Sequence, residues 1–448
     1  MTEKKPTTSS LGRIVKIGSL MGRVGTSVAT ERAIDFAFSG PTKQLRQTEN
    51  MVKNALRIVE TLGEMKGAAM KVGQMLSLHE SMLPPEVAEV LSLLQQKAPS
   101  VPTEVMRYEV EGALKAPIGE LFADFDEEAY ASASIGQVHR ATLKDGRRAA
   151  VKIQYPAIDH IVKADLKNLK RLFQSLFSMF FKADFEPLWA EVRDRLLEEL
   201  DYEHEAANMR QMAELYDEVP EIIVPRVVDE LSTKNVLTME FVGGIRPRDA
   251  ISSRYPQDLK NQWGRVLFEF QVRGLFQDRL LHADPNLANF AFLDDGRVVV
   301  YDFGCMKRIP PKIAEGYAKL VRAVLEDRRQ DVPELLLELG VFRTGPVAIA
   351  QEVIDPYFDL LLEMVREDPP YMFGEDERFY EKIMELGAAN WTQSMDAHFP
   401  EDIIFIDRSF AGHFGNLTTL KAQGPWREIV DQYTRSLPNG TNRRRKPR

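Results

Sequence analysis

Three side chains between residues 282 and 304 have the types and the spacing that phosphoryl transfer requires. In the stretch HADPNLANFAFLDDGRVVVYDFG, Asp284 is followed five residues later by Asn289, and then by Asp302 at the start of an Asp-Phe-Gly sequence. Enzymes that transfer phosphoryl groups place one aspartate against the acceptor and use an asparagine and a second aspartate to bind the metal ion. We therefore predict that Asp284 is the catalytic base or water-orienting residue and that Asn289 and Asp302 bind magnesium.

The segment between the two motifs must form a strand and a turn that carry Asp302 to the site. Val298 to Tyr301 is an apolar run typical of a buried strand, and Gly296 follows two aspartates where a turn is expected. Asp-Pro-Asn alone is usually only a turn signal, and a lone Asp-Phe-Gly carries little information. Their combination at this spacing, with a strand between them, favours a kinase-like site.

Composition limits the classes of protein to consider. A chain of 448 residues that is 44% hydrophobic can form a large core in two or three lobes. The net charge of -9 argues against a general nucleic-acid binder. The single cysteine, Cys305, excludes an internal disulfide and is typical of a reducing compartment. Without an apolar run of about eighteen residues or a secretory signal, we expect a cytoplasmic or mitochondrial matrix-like protein, at most peripheral to a membrane.

The N-terminal quarter is predicted to be helical. We assign residues 1–48 to a flexible lead with a basic amphipathic helix near 11–30, whose partner is either an anionic membrane surface or the protein itself. Residues 49–125 form a helical extension that contains Lys71-Val72-Gly73-Gln74. Lys71 and Gln74 are three residues apart and share a helix face, although a lysine there is more often an ordinary surface residue.

Residues 126–242 are predicted to form a nucleotide-binding lobe. Lys152 projects from the strand Ala149 to Ile153, where kinases place the lysine that holds the nucleotide phosphates. Glu205 or Glu199, from a helical run over 187–216, is the candidate ion-pair partner that fixes this lysine. A loop with added β-carbons stands where kinases have a glycine-rich loop, and we predict nucleotide contacts from Ala131, Ser132, Ala133 and Ser134.

A second set of nucleotide contacts is expected where the lobes join. The run from Asn235 to Gly244 reads as a strand that leads into a hinge, so we predict contacts from Met239, Glu240, Phe241 and Val242, with an adenine edge meeting the backbone of the last three. After Gly304 the chain passes almost directly into helices, without the long activation segment that a protein kinase uses to hold a peptide. We assign residues 243–436 to a helix-rich second lobe and 437–448 to a basic tail.

Together these stretches resemble the UbiB family of atypical kinases, also called aarF-domain-containing kinases. The resemblance covers nearly all of residues 50 to 425. Among the subgroups of the family, the chain looks most like the coenzyme Q-supporting kinases of mitochondria and their bacterial relatives. It rests on five ordered motifs, which are Lys71 to Gln74, Ala131 to His139, Val151 to Pro156, Glu199 to Ala206, and His282 to Asn289. The chain departs from the usual family pattern at Ser132, which replaces an alanine, and in the loop HADPNLAN, where HADPHPGN is common.

The resemblance implies a two-lobed protein-kinase-like α/β fold with a helical N-terminal extension, ATP or ADP binding with Mg²⁺, and ATPase activity. It implies support of ubiquinone or related prenylquinone biosynthesis at a membrane surface, with prenylquinone precursors or quinone-biosynthesis proteins as partners. It also implies that Lys71 and Gln74 act at the site and engage the regulatory residues Glu199 and Asp201. Two alternatives stay open, namely a small-molecule phosphotransferase of the aminoglycoside-kinase type and a nucleotide-sensing scaffold without catalysis.

Overall fold

The computed structural model describes residues 101–435, except residues 134, 161, 164–165, 167–169, 171–173, 175–185, 344–346, 376–396 and 399. Several predictions therefore lie outside the described residues. These are the amphipathic helix near 11–30, the helix with Lys71 and Gln74, the loop residue Ser134, and the basic tail 437–448.

The described elements follow one another in chain order. The first half contains α1 (Thr103–Leu114), α2 (Ile118–Leu121), β1 (Phe122–Phe125), β2 (Ala131–Ser132), β3 (Gly136–Leu143), β4 (Arg148–Gln154), α3 (Glu186–Glu198), α4 (Tyr202–Leu215), β5 (Ile222–Ile223) and β6 (Val236–Glu240). The second half contains α5 (Pro247–Ala250), α6 (Gln257–Arg273), β7 (Leu280–His282), β8 (Phe290–Phe292), β9 (Val298–Val300), β10 (Met306–Arg308), α7 (Pro311–Leu325), α8 (Val332–Glu338), β11 (Phe342–Arg343), α9 (Gln351–Met364), β12 (Ala397–His398), α10 (Glu401–Leu420) and α11 (Trp426–Arg435).

The chain divides into two compact units. The first contains the described residues up to Ala207 together with Val227–Phe241, and the second contains Asn208–Arg226 and the described residues from Val242 onwards. The sequence-based division instead placed residues 208–226 with the first lobe.

The first unit is built on an antiparallel sheet in the order β1-β3-β4-β6, with β2 paired to β3. Alternate side chains of β4 point into its core, where Ala149, Val151 and Ile153 are fully buried beside Met106 of α1. Because side chains alternate between the two faces of a strand, Lys152 lies on the opposite face of β4. The alternation thus separates the core residues from the residue expected to carry chemistry.

The helix predicted over 187–216 is broken into two, which corrects that prediction. α3 ends at Glu198, and α4 begins at Tyr202 after a turn. Asp201 starts the new helix, because its Oδ1 accepts hydrogen bonds from the backbone N–H groups of Glu203 and His204. An aspartate side chain in this position satisfies donors that the first turn of a helix leaves without partners.

The described part of the second unit contains helices and three small sheets, and two of these sheets frame the predicted catalytic loop. β7 pairs with β10 in antiparallel register, and β9 lies between β8 and the parallel strand β5. α6 is largely buried, and the Trp263 indole N–H donates to the Leu293 carbonyl at 2.8 Å. α7 begins at Pro311, so only β10 and a short turn separate it from the Asp-Phe-Gly sequence. None of the helices in the described ranges is long and apolar enough to cross a bilayer.

Candidate active site

Lys152 forms a nearly buried ion pair with Glu205 in the first unit. The Lys152 Nζ donates to Glu205 Oε1 at 2.7 Å and to Oε2 at 2.8 Å, and only 11% and 4% of the two side chains are exposed. Of the two glutamates that the sequence offered, the structure brings Glu205 to Lys152, while Glu199 lies in the turn before α4. Both carboxylate oxygens contact one ammonium group, so the lysine side chain is held in a defined position.

Tyr202 adds an aromatic face beside this ion pair. The Lys152 Nζ lies 5.0 Å from the centre of the Tyr202 ring, within the range of a cation–π contact. A Cβ atom at Gly136 would lie 3.1 Å from the Tyr202 hydroxyl and 2.1 Å from the Ile153 carbonyl oxygen. Only glycine fits there, because any side chain would separate β3 from β4 next to Lys152.

The predicted phosphate loop is a tight connection between β2 and β3. Ala131 pairs with Val138, Ser132 pairs with Gln137, and the Ala133 N–H donates to the Gly136 carbonyl at 2.8 Å. Ala131 and Ser132 are exposed and Ala133 is half-buried, so the first two side chains are accessible to a ligand.

His139 and Gln137 of the same motif have a structural position. His139 is buried and stacks on Phe125 at 5.1 Å, and its Nδ1–H donates to the Asp126 carbonyl at 3.0 Å. The Gln137 amide lies 3.3 Å from His139 Nε2. Burial lowers the pKa of His139, so the ring stays neutral and supports the sheet.

At Phe241, where the sequence predicts an adenine contact, the backbone N–H is already used by the sheet. The Phe241 N–H donates to the Arg148 carbonyl at 3.0 Å and extends the pairing of β4 with β6. The Phe241 ring is half-buried, with the Arg148 guanidinium 4.4 Å from its centre and the Tyr130 ring edge-on at 5.3 Å. The amide therefore serves the sheet, which a prediction from strand pattern alone could not show.

Other hinge residues differ in what they present. Met239 is buried and Glu240 is exposed at the end of β6. The Val242 carbonyl accepts a hydrogen bond from the Tyr301 hydroxyl at 2.7 Å. The Val242 N–H donates to no backbone acceptor within the part of the chain that the structure describes.

In the second unit, the segment from His282 to Asn289 is a loop that is held by its own side chains. Asp284 Oδ1 accepts from the Asn286 N–H at 3.2 Å, and Asn286 Oδ1 accepts from the Ala288 N–H at 3.0 Å. Asn286 caps a single 3₁₀ turn, Leu287–Asn289, that leads into β8. The asparagine that departs from the usual family pattern is thus a local cap.

His282 connects the two predicted motifs. Its Nε2 lies 2.8 Å from the Asp302 carbonyl oxygen, which can only accept, so Nε2 carries the proton. Asp302 Oδ1 accepts from the Gly304 N–H at 2.9 Å, and the Asn208 amide donates to the Phe303 carbonyl at 2.9 Å. These bonds, together with the full burial of Phe303, fix the backbone on both sides of the Asp302 carboxylate.

Asn289 and Asp302 fit a magnesium ion by the chemistry of their donor atoms. The Asn289 side-chain N–H donates to the Asp284 carbonyl at 3.2 Å, which directs the amide so that its oxygen remains as an acceptor. Amide and carboxylate oxygens are the hard ligands that magnesium prefers, usually one or two of them together with phosphate oxygens. Among the residues that the structure describes, no group of three His, Cys, Asp or Glu side chains could hold a metal ion, and a site of this kind does not need one.

Sequence reasoning missed Tyr202 and Asn208. Both lie three residues from Glu205, one on each side, so the helical spacing places all three side chains near one face of α4. This helical spacing is the only feature of the sequence that could have pointed to Tyr202 and Asn208. It does not reveal their contact partners, because Gly136, Lys152 and Phe303 are distant in the sequence.

An antiparallel sheet with a glutamate-paired lysine, and a helix-rich unit with the Asp284, Asn289 and Asp302 loop, together define a kinase-like protein. The profile of the ABC1 atypical kinase-like domain matches residues 93–336. The chain therefore belongs to the ABC1 family of atypical kinases, which confirms the family and the fold class predicted from the sequence motifs. It belongs with the atypical kinases rather than with conventional protein kinases.

Curated relatives extend the match over most of the chain. The mitochondrial atypical kinase coq-8 of Caenorhabditis elegans is 31% identical over 94% of this chain and 57% of its own length. The mitochondrial atypical kinase COQ8B of Rattus norvegicus is 33% identical over 77% of this chain and 65% of its own length. The chain thus spans less than two thirds of the length of these two relatives.

A solved structure shows the same fold. The complex of Rv3197 with erythromycin from Mycobacterium tuberculosis superposes with a TM-score of 0.63 at 29% identity, over 87% of this chain and 98% of that chain.

Proposed function

We propose that this protein is an atypical kinase or ATPase that binds a magnesium nucleotide. The observation that carries the proposal is the ion pair of Lys152 with Glu205. Burying two charges costs free energy that the ion pair only partly offsets, so stability alone is a poor reason to keep a lysine there. Phosphotransferases use such a pair to fix the lysine that binds nucleotide phosphates.

Each residue has a distinct role in this proposal. Lys152 donates to phosphate oxygens, and Glu205 orients it. Asp284 accepts a proton from the attacking hydroxyl or water, or orients it. The Asn289 amide oxygen and the Asp302 carboxylate hold magnesium, which when bound neutralises charge on the phosphates.

The physiological process in the proposal is ubiquinone or related prenylquinone biosynthesis at a membrane surface. The named relatives are mitochondrial atypical kinases, and the sequence resembles the coenzyme Q-supporting subgroup. We propose a matrix-like or cytoplasmic location peripheral to an anionic membrane, with prenylquinone precursors or quinone-biosynthesis proteins as partners. Lys71 and Gln74, acting with Glu199 and Asp201, would limit access of large acceptors.

A titration of the purified protein with ATP and ADP, with and without Mg²⁺, tests nucleotide binding. Release of phosphate is measured in parallel, with vesicles of anionic lipid present or absent. We expect saturable, Mg²⁺-dependent binding by the parent protein and weakened binding by Lys152→Met. Lys144→Met is the control, because Lys144 is exposed and its Nζ only donates to the Gly119 carbonyl. Equal binding by both variants would contradict the proposal.

A second candidate function is binding or phosphorylation of a small hydroxylated molecule. The observation that favours it is the similar Mycobacterium tuberculosis structure, which is a complex with erythromycin. Incubation with labelled ATP and erythromycin separates the candidates, because an acceptor consumed at high turnover favours a small-molecule phosphotransferase. Nucleotide binding without any phosphate release would favour a sensing scaffold.

A further inference from the structure

One face of α10 packs on the loop that carries Asp284. The residues of this face are spaced three or four apart, as neighbours on a helix surface are, and comprise Ser409, Gly412, His413 and Asn416. The helix lies outside residues 93–336, the part of the chain that the family profile matches. Its contacts with the loop therefore come from beyond the recognised kinase-like domain.

Two side chains of α10 donate hydrogen bonds to the loop backbone on either side of Asp284. The Ser409 hydroxyl donates to the His282 carbonyl at 2.9 Å, and the Asn416 amide donates to the Pro285 carbonyl at 2.8 Å. Ser409 is 1% exposed and Asn416 is 7% exposed. Gln271 donates to the Ser409 oxygen at 2.6 Å, which orients the serine proton towards His282. The two carbonyls have little access to water, so losing either donor leaves a buried acceptor without its partner.

Gly412 allows the helix and the loop to approach closely. A Cβ atom at this position would lie 2.3 Å from Pro285 Cγ and 2.5 Å from Pro285 Cβ. Gly415 lies three residues further along the same helix, and a Cβ atom there would meet nothing within 4 Å. Gly412 is therefore required by the contact with the loop, whereas Gly415 is not.

His413 completes the contact as a packed, neutral ring. It is 2% exposed, and its ring centre lies 6.3 Å from that of His282 and 5.8 Å from that of Phe290. Burial, and secondarily the neighbouring His282, lowers the pKa of His413 to about 3.

We propose that α10 is a positioning element for the catalytic loop. By holding the His282 and Pro285 carbonyls, Ser409 and Asn416 fix the backbone on both sides of Asp284, and Gly412 sets the distance between helix and loop. The role in catalysis rests on the proposed function. The positioning of the loop is a structural property that can be measured without it.

The test compares pairs of variants of the full-length chain. Gly412→Ala is paired with Gly415→Ala, since both replace a helical glycine by alanine and only the first meets the loop. Asn416→Ala is paired with Thr419→Ala, since the exposed Thr419 hydroxyl donates only to the Gly415 carbonyl of its own helix. Hydrogen exchange of the amides between Ala283 and Asn289 is measured by mass spectrometry, and kcat and KM for ATP hydrolysis are measured on the same samples.

In Gly412→Ala and Asn416→Ala we expect exchange in the loop to accelerate about tenfold. We also expect kcat to fall by about tenfold or more with KM for ATP nearly unchanged, since a misplaced catalytic group costs rate rather than binding. The two control variants keep parental values. If Gly412→Ala does not fold, the comparison of Asn416→Ala with Thr419→Ala tests the proposal by itself.

Loop exchange in Gly412→Ala and Asn416→Ala equal to that of their controls would overturn the proposal. Faster exchange with unchanged kcat would overturn the positioning role in catalysis. A parent protein that hydrolyses no nucleotide would count against the proposed function alone, because hydrogen exchange still shows whether α10 orders the loop.

Discussion

At the scale of single residues, variants of the Lys152–Glu205 ion pair distinguish its effect on stability from its proposed effect on nucleotide binding. Replacing one member of a buried pair leaves the other charge without compensation, which typically costs about 3–5 kcal/mol. Replacing both by apolar side chains removes the charges together and restores much of that loss. Under the proposed function, nucleotide binding does not follow the same pattern, because the phosphates would still need the lysine.

We predict that Glu205→Leu destabilises the protein by about 3 kcal/mol and that Lys152→Met in the same chain recovers most of this loss. Nucleotide binding should be absent in the double variant, although its fold is restored. Urea unfolding and nucleotide titration of the parent, the single variants and the double variant measure both effects. A double variant that still binds nucleotide would show that Lys152 is structural.

His413 gives a prediction about acid sensitivity. Its pKa of about 3 in the folded protein lies below the ordinary value of 6.5. Between these values the unfolded chain binds a proton that the folded chain does not, so stability rises with pH across this window and falls on acidification.

Between pH 6.5 and pH 5, we expect the parent to lose about 2 kcal/mol more unfolding free energy than His413→Met, which has no titrating ring. Urea unfolding at several pH values gives the difference in slope between the two proteins. Parallel slopes would mean that His413 takes up its proton as readily in the folded state as in the unfolded chain.

At the scale of elements, local pattern predicted the strands better than the helix breaks. Val298–Val300 and the strand with Lys152 follow from short apolar runs and alternation. The break between α3 and α4 was missed because the run from Glu198 to Asn208 is rich in helix-forming residues, and only the contacts of Asp201 show it to be a cap. A side chain that bonds to its own backbone competes with helix formation, and sequence pattern alone does not decide the outcome.

Substitutions of Asp201 distinguish its role as a helix cap from the regulatory role that the family resemblance implies. Asp201→Ala should lose about 1 kcal/mol of stability, whereas Asp201→Asn should retain parental stability because asparagine caps a helix equally well. If the Asp201 charge also engages Lys71, then Asp201→Asn will alter nucleotide hydrolysis at an unchanged melting temperature. Parental hydrolysis by Asp201→Asn would restrict Asp201 to capping.

At the scale of the whole molecule, five ordered motifs were enough to predict the family and the fold class. They could not predict the contribution of α10, because its bonds to the loop join residues 127 and 131 positions apart in the chain. Helical pattern predicts that such a helix exists and which of its faces is apolar, but not the surface on which that face packs. The use of the Phe241 N–H by the sheet was hidden for the same reason.

The predicted membrane contact belongs to the scale of the whole chain, because its expected source is the helix predicted near residues 11–30, outside the described residues. We expect the full chain to sediment with vesicles that contain anionic lipid, and added salt to weaken this binding by screening the basic side chains. A chain without residues 1–30 should remain in the supernatant. Sedimentation of the shortened chain at the parental level would assign membrane binding to another surface.

The central claim is that Asp302 holds the magnesium ion on which nucleotide binding depends. It is tested most directly by measuring the thermal shift with ATP, with and without Mg²⁺. The comparison uses the parent, Asp302→Asn, and the control Asp295→Asn, whose carboxylate is exposed and pairs with Arg297 at 2.8 Å. The parent and the control should both gain melting temperature with Mg²⁺ and ATP together. Asp302→Asn should fold normally and show no such gain, because one carboxylate charge is lost from the metal site. An equal Mg²⁺-dependent gain in Asp302→Asn would contradict the assignment of Asp302 to the metal.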